Sequence, residues 1–209
     1  MISAILLAAG DSTRMGRPKQ IIGINGEPMA QKSLRALLDS TVDEIIVVLG
    51  NLHASIRERL SVDAVVPGKI KQDGIPVRSV VNERCCEGMG SSIRKGIESL
   101  SPGSEAVVIA LADQPFIKSD TITALIEAFR ASGLGIAIPR FRDRRGHPVI
   151  FGAKYYEALR LLPPDRGANT IVRGNAGDVL SFDVEDEGIL KDIDTPDDLA
   201  RHTSSARGS

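Results

Sequence analysis

The chain has 209 residues, 42% of them apolar and 25% charged, with a formal charge of -1. A balance of 26 basic and 27 acidic residues offers no bulk attraction for nucleic acid or an anionic membrane, and 3% aromatics with no Trp gives no platform for stacking single-stranded bases. The longest apolar runs, such as Ala106 to Ala112, fall short of the ~20 residues a membrane span needs, and no basic stretch precedes the apolar start Ile2 to Ala9, so neither a span nor a secretory signal is expected.

Short apolar runs alternate with amphipathic stretches, the pattern of a parallel sheet built from βαβ units. Strands are expected over Ile2 to Ala8, Glu44 to Leu49, Val77 to Val81, Ala106 to Leu111 and Gly135 to Ile138. Helices are expected over Met29 to Leu38, Ser55 to Leu60, Ser91 to Leu100 and Ser119 to Ala131, the last begun by Ser/Asp and stopped by Gly133. Pro139 to Phe151 reads as a hairpin or β-arm, Ala153 to Leu162 as a short helix, and Val179 to Val184 as a strand. Thr195 caps a terminal helix with Pro196 at its first position. Residues 67–74 read as a surface loop, and residues 202–209 as a disordered tail. Cys85 and Cys86 are adjacent, too close for an unstrained disulfide, so they read as small loop or buried thiols of a reducing cytoplasm.

The strongest chemical signal follows the first strand: Leu7-Ala8-Ala9-Gly10-Asp11-Ser12-Thr13-Arg14-Met15-Gly16-Arg17-Pro18-Lys19-Gln20. Gly10 and Gly16 let backbone N–H groups approach an anion, and Arg14 and Lys19 supply the charge a polyphosphate needs. In an open α/β sheet, ligands collect at such strand ends. The glycine spacing fits neither a Walker A loop nor the dinucleotide fingerprint.

Asp113, in Leu111-Ala112-Asp113-Gln114-Pro115, follows the fourth strand and faces the same crevice, which suits a Mg²⁺ ion held by one or two carboxylates plus substrate phosphates. Asp194 is the natural second ligand, while Asp192 reads as a cap or solvated residue, and Asp197 and Asp198 are explained by the dipole of the terminal helix. Asn51 and Asn82 close the second and third strands, and an Asn amide can pair with a nucleobase edge or simply close a turn. Gly88-Met89-Gly90-Ser91-Ser92 can give backbone contacts at a helix start, or a plain Ser91 cap. Arg140, Arg142, Arg144 and Arg145 crowd before Gly146-His147-Pro148, either a solvated face or a grip for an anion.

Together these segments resemble the molybdenum-cofactor nucleotidyltransferase family over almost the whole chain. The loop Leu7 to Lys19, Asn82 with Glu87 to Ile93, Leu111 to Pro115, Arg145 to Val149, Asp165-Arg166-Gly167-Ala168 and Asp192 to Pro196 carry the likeness, in that order. The guanylyltransferase branch usually carries Gly-Gly where this chain has Ala9-Gly10, so the cytidylyltransferase branch is the nearer one. The resemblance implies a Rossmann-like three-layer α/β fold with a mostly parallel sheet and a β-arm in its C-terminal half. It implies one domain over residues 1–201, with a nucleotide-binding half to about 115 and an acceptor-binding half beyond. Leu7, Ala8, Ala9, Gly10, Ser12, Lys19, Asn51, Asn82, Gly90, Ser91 and Asp113 would hold the nucleotide, with Arg14, Lys19 and Asp113 carrying the chemistry. Arg140, Arg145, Gly146 and His147 would face the acceptor, and Asp113 and Asp194 would bind Mg²⁺. The implied reaction moves CMP from CTP to the terminal phosphate of molybdopterin, for delivery to a molybdoenzyme. A transferase acting on a sugar or alcohol phosphate, or a non-catalytic molybdopterin carrier, remain the other readings.

Overall fold

A computed structural model describes residues 1–10, 18–51 and 53–203. In chain order the strands are β1 (Ile2–Ala8), β2 (Gly23–Ile24), β3 (Glu27–Pro28), β4 (Glu44–Leu49), β5 (Ala64–Val66), β6 (Ile75–Val81), β7 (Ala106–Leu111), β8 (Ile136–Phe141), β9 (Arg144–Arg145), β10 (Val149–Gly152) and β11 (Val179–Asp183). The helices are α1 (Met29–Leu38), α2 (His53–Arg57), α3 (Met89–Glu98), α4 (Ser119–Ser132), α5 (Tyr156–Arg160), α6 (Asn169–Gly174) and α7 (Pro196–Thr203).

Among the described residues one sheet runs β11-β8-β10-β7-β1-β4-β6-β5, with β9 beside β8. β1 pairs parallel with β4 and β7, and β4 parallel with β6. β1, β4 and β7 are buried along nearly their whole length because helices cover both faces. Leu6, Val47 and Val108 face a core shared with Leu34 of α1 and Leu125 of α4. Ile5, Val48 and Val107 face a second core with Ile93 of α3, Leu159 of α5 and Val172 of α6. The sheet is thus the middle layer of three, as expected. The chain steps from β1 outward to β4 and β6, then returns to the other side of β1 as β7. That reversal opens a crevice at the carboxyl ends of β1 and β7, where Gly10 and Asp113 follow.

The β-arm is real, and its geometry is informative. Arg142 and Asp143 take positive φ (46° and 65°) in the two-residue turn joining β8 to β9, and β10 then inserts antiparallel between β7 and β8. α3 begins at Met89 rather than at Ser91, because Gly88 at φ 122° turns the chain into the helix early. α2 runs earlier than expected, and the stretch after Ala153 splits into a 3-10 turn and the short α5. α4 does not use its own Ser/Asp start as a side-chain cap. The Lys118 amide and the Thr121 hydroxyl instead donate to the buried carboxylate of Asp186, at 2.9 and 2.8 Å. Gly133 ends α4 in the left-handed conformation, as expected. β2 and β3 form a small hairpin through Asn25 and Gly26, both at positive φ. That Asn-Gly pair was a legible hairpin signal in the sequence. Thr195 and Asp198 cap α7 reciprocally, at 2.9 and 3.2 Å, and the helix continues through Thr203, past the expected start of the tail. The rest of that tail lies outside the described residues, and no described helix is long and apolar enough to cross a membrane.

At the amino ends of the central strands, opposite the crevice, lies a buried polar knot. Glu44 is 3% exposed and accepts from the Ser3 and Ser101 hydroxyls at 2.7 and 2.6 Å and from the Arg78 guanidinium at 3.0 Å. Burial alone would raise its pKa, but these donors outweigh burial and hold it below the ordinary value. A carboxyl with a lowered folded-state pKa adds stability above its unfolded value and loses it as pH falls through the folded one. Glu44→Ala should therefore cost about 3 kcal/mol at pH 7, from lost charged hydrogen bonds and stranded donors, and the cost should shrink below about pH 4. Urea melts of both proteins at pH 7 and pH 3.5 check this; an equal cost at both pH values contradicts it.

Candidate active site

The crevice brings together groups far apart in sequence. Lys19, in the short 3-10 turn Lys19–Ile21, places its Nζ 2.6 Å from Asp113 Oδ2 and 2.7 Å from Asp194 Oδ1. Asp113 follows β7, while Asp194 precedes α7, and the two segments are tied by the Ile193 amide donating to the Asp113 carbonyl at 3.0 Å. Lys19 is only 15% exposed. Burial would depress its pKa, but the two carboxylates outweigh burial and keep it above its ordinary value, so the ammonium stays charged. Asp113 Oδ1 is buried and has no hydrogen-bond partner among the described residues. A buried carboxylate oxygen without a donor costs free energy unless a cation or another donor meets it.

Around this centre lies a cavity of about 200 Å³, lined among others by Ala9, Gly10, Lys19, Gln20, Ser92 and Asp113. In the sequence Gln20 stands out only as the residue after Lys19. It is 3% exposed, and its Nε2 donates to the carbonyls of Ala8 and Gly10, at 3.1 and 2.8 Å. Gln20 thus clamps the bend where β1 enters the loop, a role that depends on three-dimensional contact and leaves no spacing signature. Cys85 is buried and lines the same cavity, whereas Cys86 is exposed.

A second cavity of about 260 Å³ adjoins the first, and the two share Leu7, Met89 and Leu111. Its floor is apolar, with Ile93, Ile109, Ile138 and Val149. Arg145, Gly146, His147 and Asn169 supply its polar atoms. The loss of hydration on burial lowers the His147 pKa, against the opposing charges of Asp192 and Asp113, so the ring is neutral at pH 7. Asp192 comes closer to the site than expected: Gln114 Nε2 donates to it at 2.5 Å. Desolvation raises its pKa, the charges of Asp113 and Asp194 add to the rise, and the Gln114 hydrogen bond opposes it.

The structure therefore gathers Leu7, Ala9, Gly10, Lys19, Asp113, Asp194, Arg145, Gly146 and His147 around two touching cavities. Ala8 ends β1 and contributes its carbonyl to the Gln20 clamp. Asn51 is exposed beside Gly10 and Gln20. Ser12 and Arg14 lie outside the described residues. Four expected contacts are placed differently. Asn82 is buried, with its amide nitrogen on the Ser91 and Ser92 hydroxyls, at 2.9 and 3.0 Å, and its oxygen on the Arg84 amide, at 3.1 Å. Ser91 Oγ in turn donates to the Arg84 and Gly88 carbonyls, and Gly90 N–H donates to Pro164 O at 2.8 Å. Asn82, Gly90 and Ser91 thus brace the start of α3, and Ser92 is the hydroxyl at the Lys19 cavity. Arg140 lies off the second cavity, paired with Asp183 through two hydrogen bonds of 2.6 and 2.9 Å, so Arg145 is the arm's cation at that cavity.

The model of the MobA-like NTP transferase domain matches residues 4–179. The chain belongs to this family. This MobA-like nucleotidyltransferase is 31% identical over 205 residues to the purine catabolism protein PucB of Bacillus subtilis, spanning 96% of each chain. It is 28% identical over 131 residues to the 2-C-methyl-D-erythritol 4-phosphate cytidylyltransferase of Streptomyces avermitilis, covering 61% of this chain and 49% of that one. Among solved structures, Rv0371c of Mycobacterium tuberculosis is similar with a TM-score of 0.81 and 27% identity, covering 97% of both chains. Rv0371c has also been solved in complex with manganese, with a TM-score of 0.77, 25% identity and 98% of both chains covered.

Proposed function

We propose that this enzyme transfers CMP from CTP to the terminal phosphate of molybdopterin, releasing pyrophosphate, with a Mg²⁺ ion at Asp113 and Asp194. The observation that carries the reading is a partly buried cation–carboxylate centre sharing a wall with an apolar cavity whose rim holds Arg145 and His147. One cavity suits a triphosphate. The other suits a flat ring that carries a phosphate, because its apolar floor can cover the ring face while Arg145, His147 and Asn169 meet polar atoms at the edge. Ala9 in place of a second glycine, and the cytidylyltransferase among the relatives, favour CTP.

The residues fit a divalent cation. Two carboxylates meet, and Asp113 Oδ1 has no other partner among the described residues. The manganese complex of Rv0371c supports the same reading. When bound, such an ion supplies charge neutralisation on the phosphates. In the reaction an oxygen of the acceptor phosphate attacks the α-phosphorus of CTP; that P–O bond forms as the bond to the β-phosphate bridge breaks, and pyrophosphate leaves with the electron pair. The acceptor phosphate carries about 1.5–2 negative charges at neutral pH, so no proton has to be removed from it. The work left to the protein is to hold two anions together. Lys19 takes the triphosphate, Gln20 holds the chain at Ala8 and Gly10 beside it, and Arg145 draws in the acceptor phosphate. His147, being neutral, contributes a hydrogen bond and no charge.

Pyrophosphate release should be measured with CTP, GTP and ATP, each with Mg²⁺ and with molybdopterin, with glucosamine 1-phosphate, or with no acceptor. Release with CTP and molybdopterin alone is expected. Release with the sugar phosphate would reassign the acceptor, and molybdopterin binding without turnover would make the protein a carrier.

A further inference from the structure

Met89 is a large apolar side chain left 49% exposed, and it lines both cavities. Of the side chains shared by the two cavities, Leu7 and Leu111 sit in the sheet, whereas Met89 projects from the first turn of α3. Its backbone is fixed from both sides. A Cβ on Gly88 would meet the Pro164 carbonyl at 2.7 Å, and one on Gly90 would meet the Pro163 carbonyl at 2.1 Å. The Gly-Met-Gly turn is thereby pressed onto the turn at 163–166, and only its central residue presents a side chain. The thioether reaches toward the acceptor side, with Met89 Sδ 3.7 Å from where a Gly167 Cβ would stand.

A half-exposed methionine held by such close backbone contact is a surface awaiting cover. Its unbranched, polarizable chain adapts to different shapes on its two sides. We infer that Met89 is the movable wall between the substrates: it packs against the bound nucleotide on one side and the ring of the acceptor on the other, so that each substrate completes the other's site. The inference rests on the proposed two-substrate reading, and it assigns Met89 the coupling between them. Packed against bound nucleotide, the thioether stays out of the acceptor cavity, and packed against bound acceptor it stays out of the nucleotide cavity. Coupling of this kind is reciprocal.

The test uses α,β-methylene-CTP with Mg²⁺, which cannot be turned over, and calorimetric titration with and without molybdopterin. In the unmodified enzyme the acceptor should tighten nucleotide binding about five- to tenfold, the scale set by covering the exposed half of one methionine, and the nucleotide should tighten acceptor binding by the same factor. Met89→Ala should bring that factor close to one while leaving the melting temperature unchanged, and Met89→Leu should restore most of it. Two results overturn the inference: unchanged coupling in Met89→Ala, or a Met89→Leu variant that behaves like the alanine. The site reading fails separately, and takes the inference with it, if Lys19→Ala binds α,β-methylene-CTP as tightly as the unmodified enzyme.

Discussion

Asp113→Asn is expected to lower Mg²⁺-dependent pyrophosphate release by at least about 10²–10³-fold while leaving the fold intact. The amide keeps the volume of the carboxyl, and the Asp113 main-chain carbonyl still receives the Ile193 amide. What disappears is charge. Lys19 loses one of the two carboxylates that hold it, and the oxygen left without a donor no longer offers a negative charge to a cation. Raising the Mg²⁺ concentration should not restore turnover, since the variant lacks the ligand rather than the ion. Melting curves and a Mg²⁺ titration of pyrophosphate release check both halves of this expectation. A variant that turns over fully with Mg²⁺ contradicts the assignment of Asp113.

Lys19→Met carries the second large effect. If Lys19 takes the triphosphate as proposed, removing its partly buried ammonium raises the KM for CTP by about 10–100-fold, the scale of a lost charge-assisted hydrogen bond, with a smaller change in the KM for molybdopterin. The same substitution leaves Asp113 and Asp194 facing each other without the cation that lies 2.6 and 2.7 Å from them. The nucleotide-free variant should therefore bind Mn²⁺ more tightly than the unmodified enzyme, while Lys19→Arg should not. Steady-state kinetics in both substrates and Mn²⁺ titration by electron spin resonance read the two effects. Equal losses for CTP and molybdopterin would place Lys19 outside the triphosphate site.

The central strands were legible in the sequence to the residue. Apart from Ser3 and Glu44 at their starts, Ile2–Ala8, Glu44–Leu49 and Ala106–Leu111 are apolar throughout, which is how strands covered on both faces read. The parallel direction of the central strands and a hairpin over Pro139 to Phe151 were legible as well, but the place where that hairpin's returning strand seats was not. The antiparallel seat of β10 between β7 and β8 follows from the Arg142-Asp143 turn, whose positive φ values no glycine announces. The start of α3 shifted because a single backbone angle at Gly88 outweighed the capping preference of Ser91.

At the site, the motifs named the charged residues, because cations and carboxylates at strand ends carry their own chemical argument. They did not reveal that Asn82 would spend its whole amide on Ser91, Ser92 and the Arg84 backbone, nor that Arg140 would pair with Asp183. They were equally silent on Gln20 and Met89. Those roles arise from which surfaces meet after folding, and residue type and spacing do not encode that.

The most direct measurement is a crystal structure of the enzyme with α,β-methylene-CTP, Mg²⁺ and molybdopterin bound together. The account predicts the triphosphate against Lys19 and Asp113, the pterin on the apolar floor beneath Arg145, and an acceptor phosphate oxygen within about 3–3.5 Å of the α-phosphorus. A nucleotide seated instead in the groove of Asn82, Arg94 and Arg160, or a pterin bound away from Met89 and His147, would contradict it.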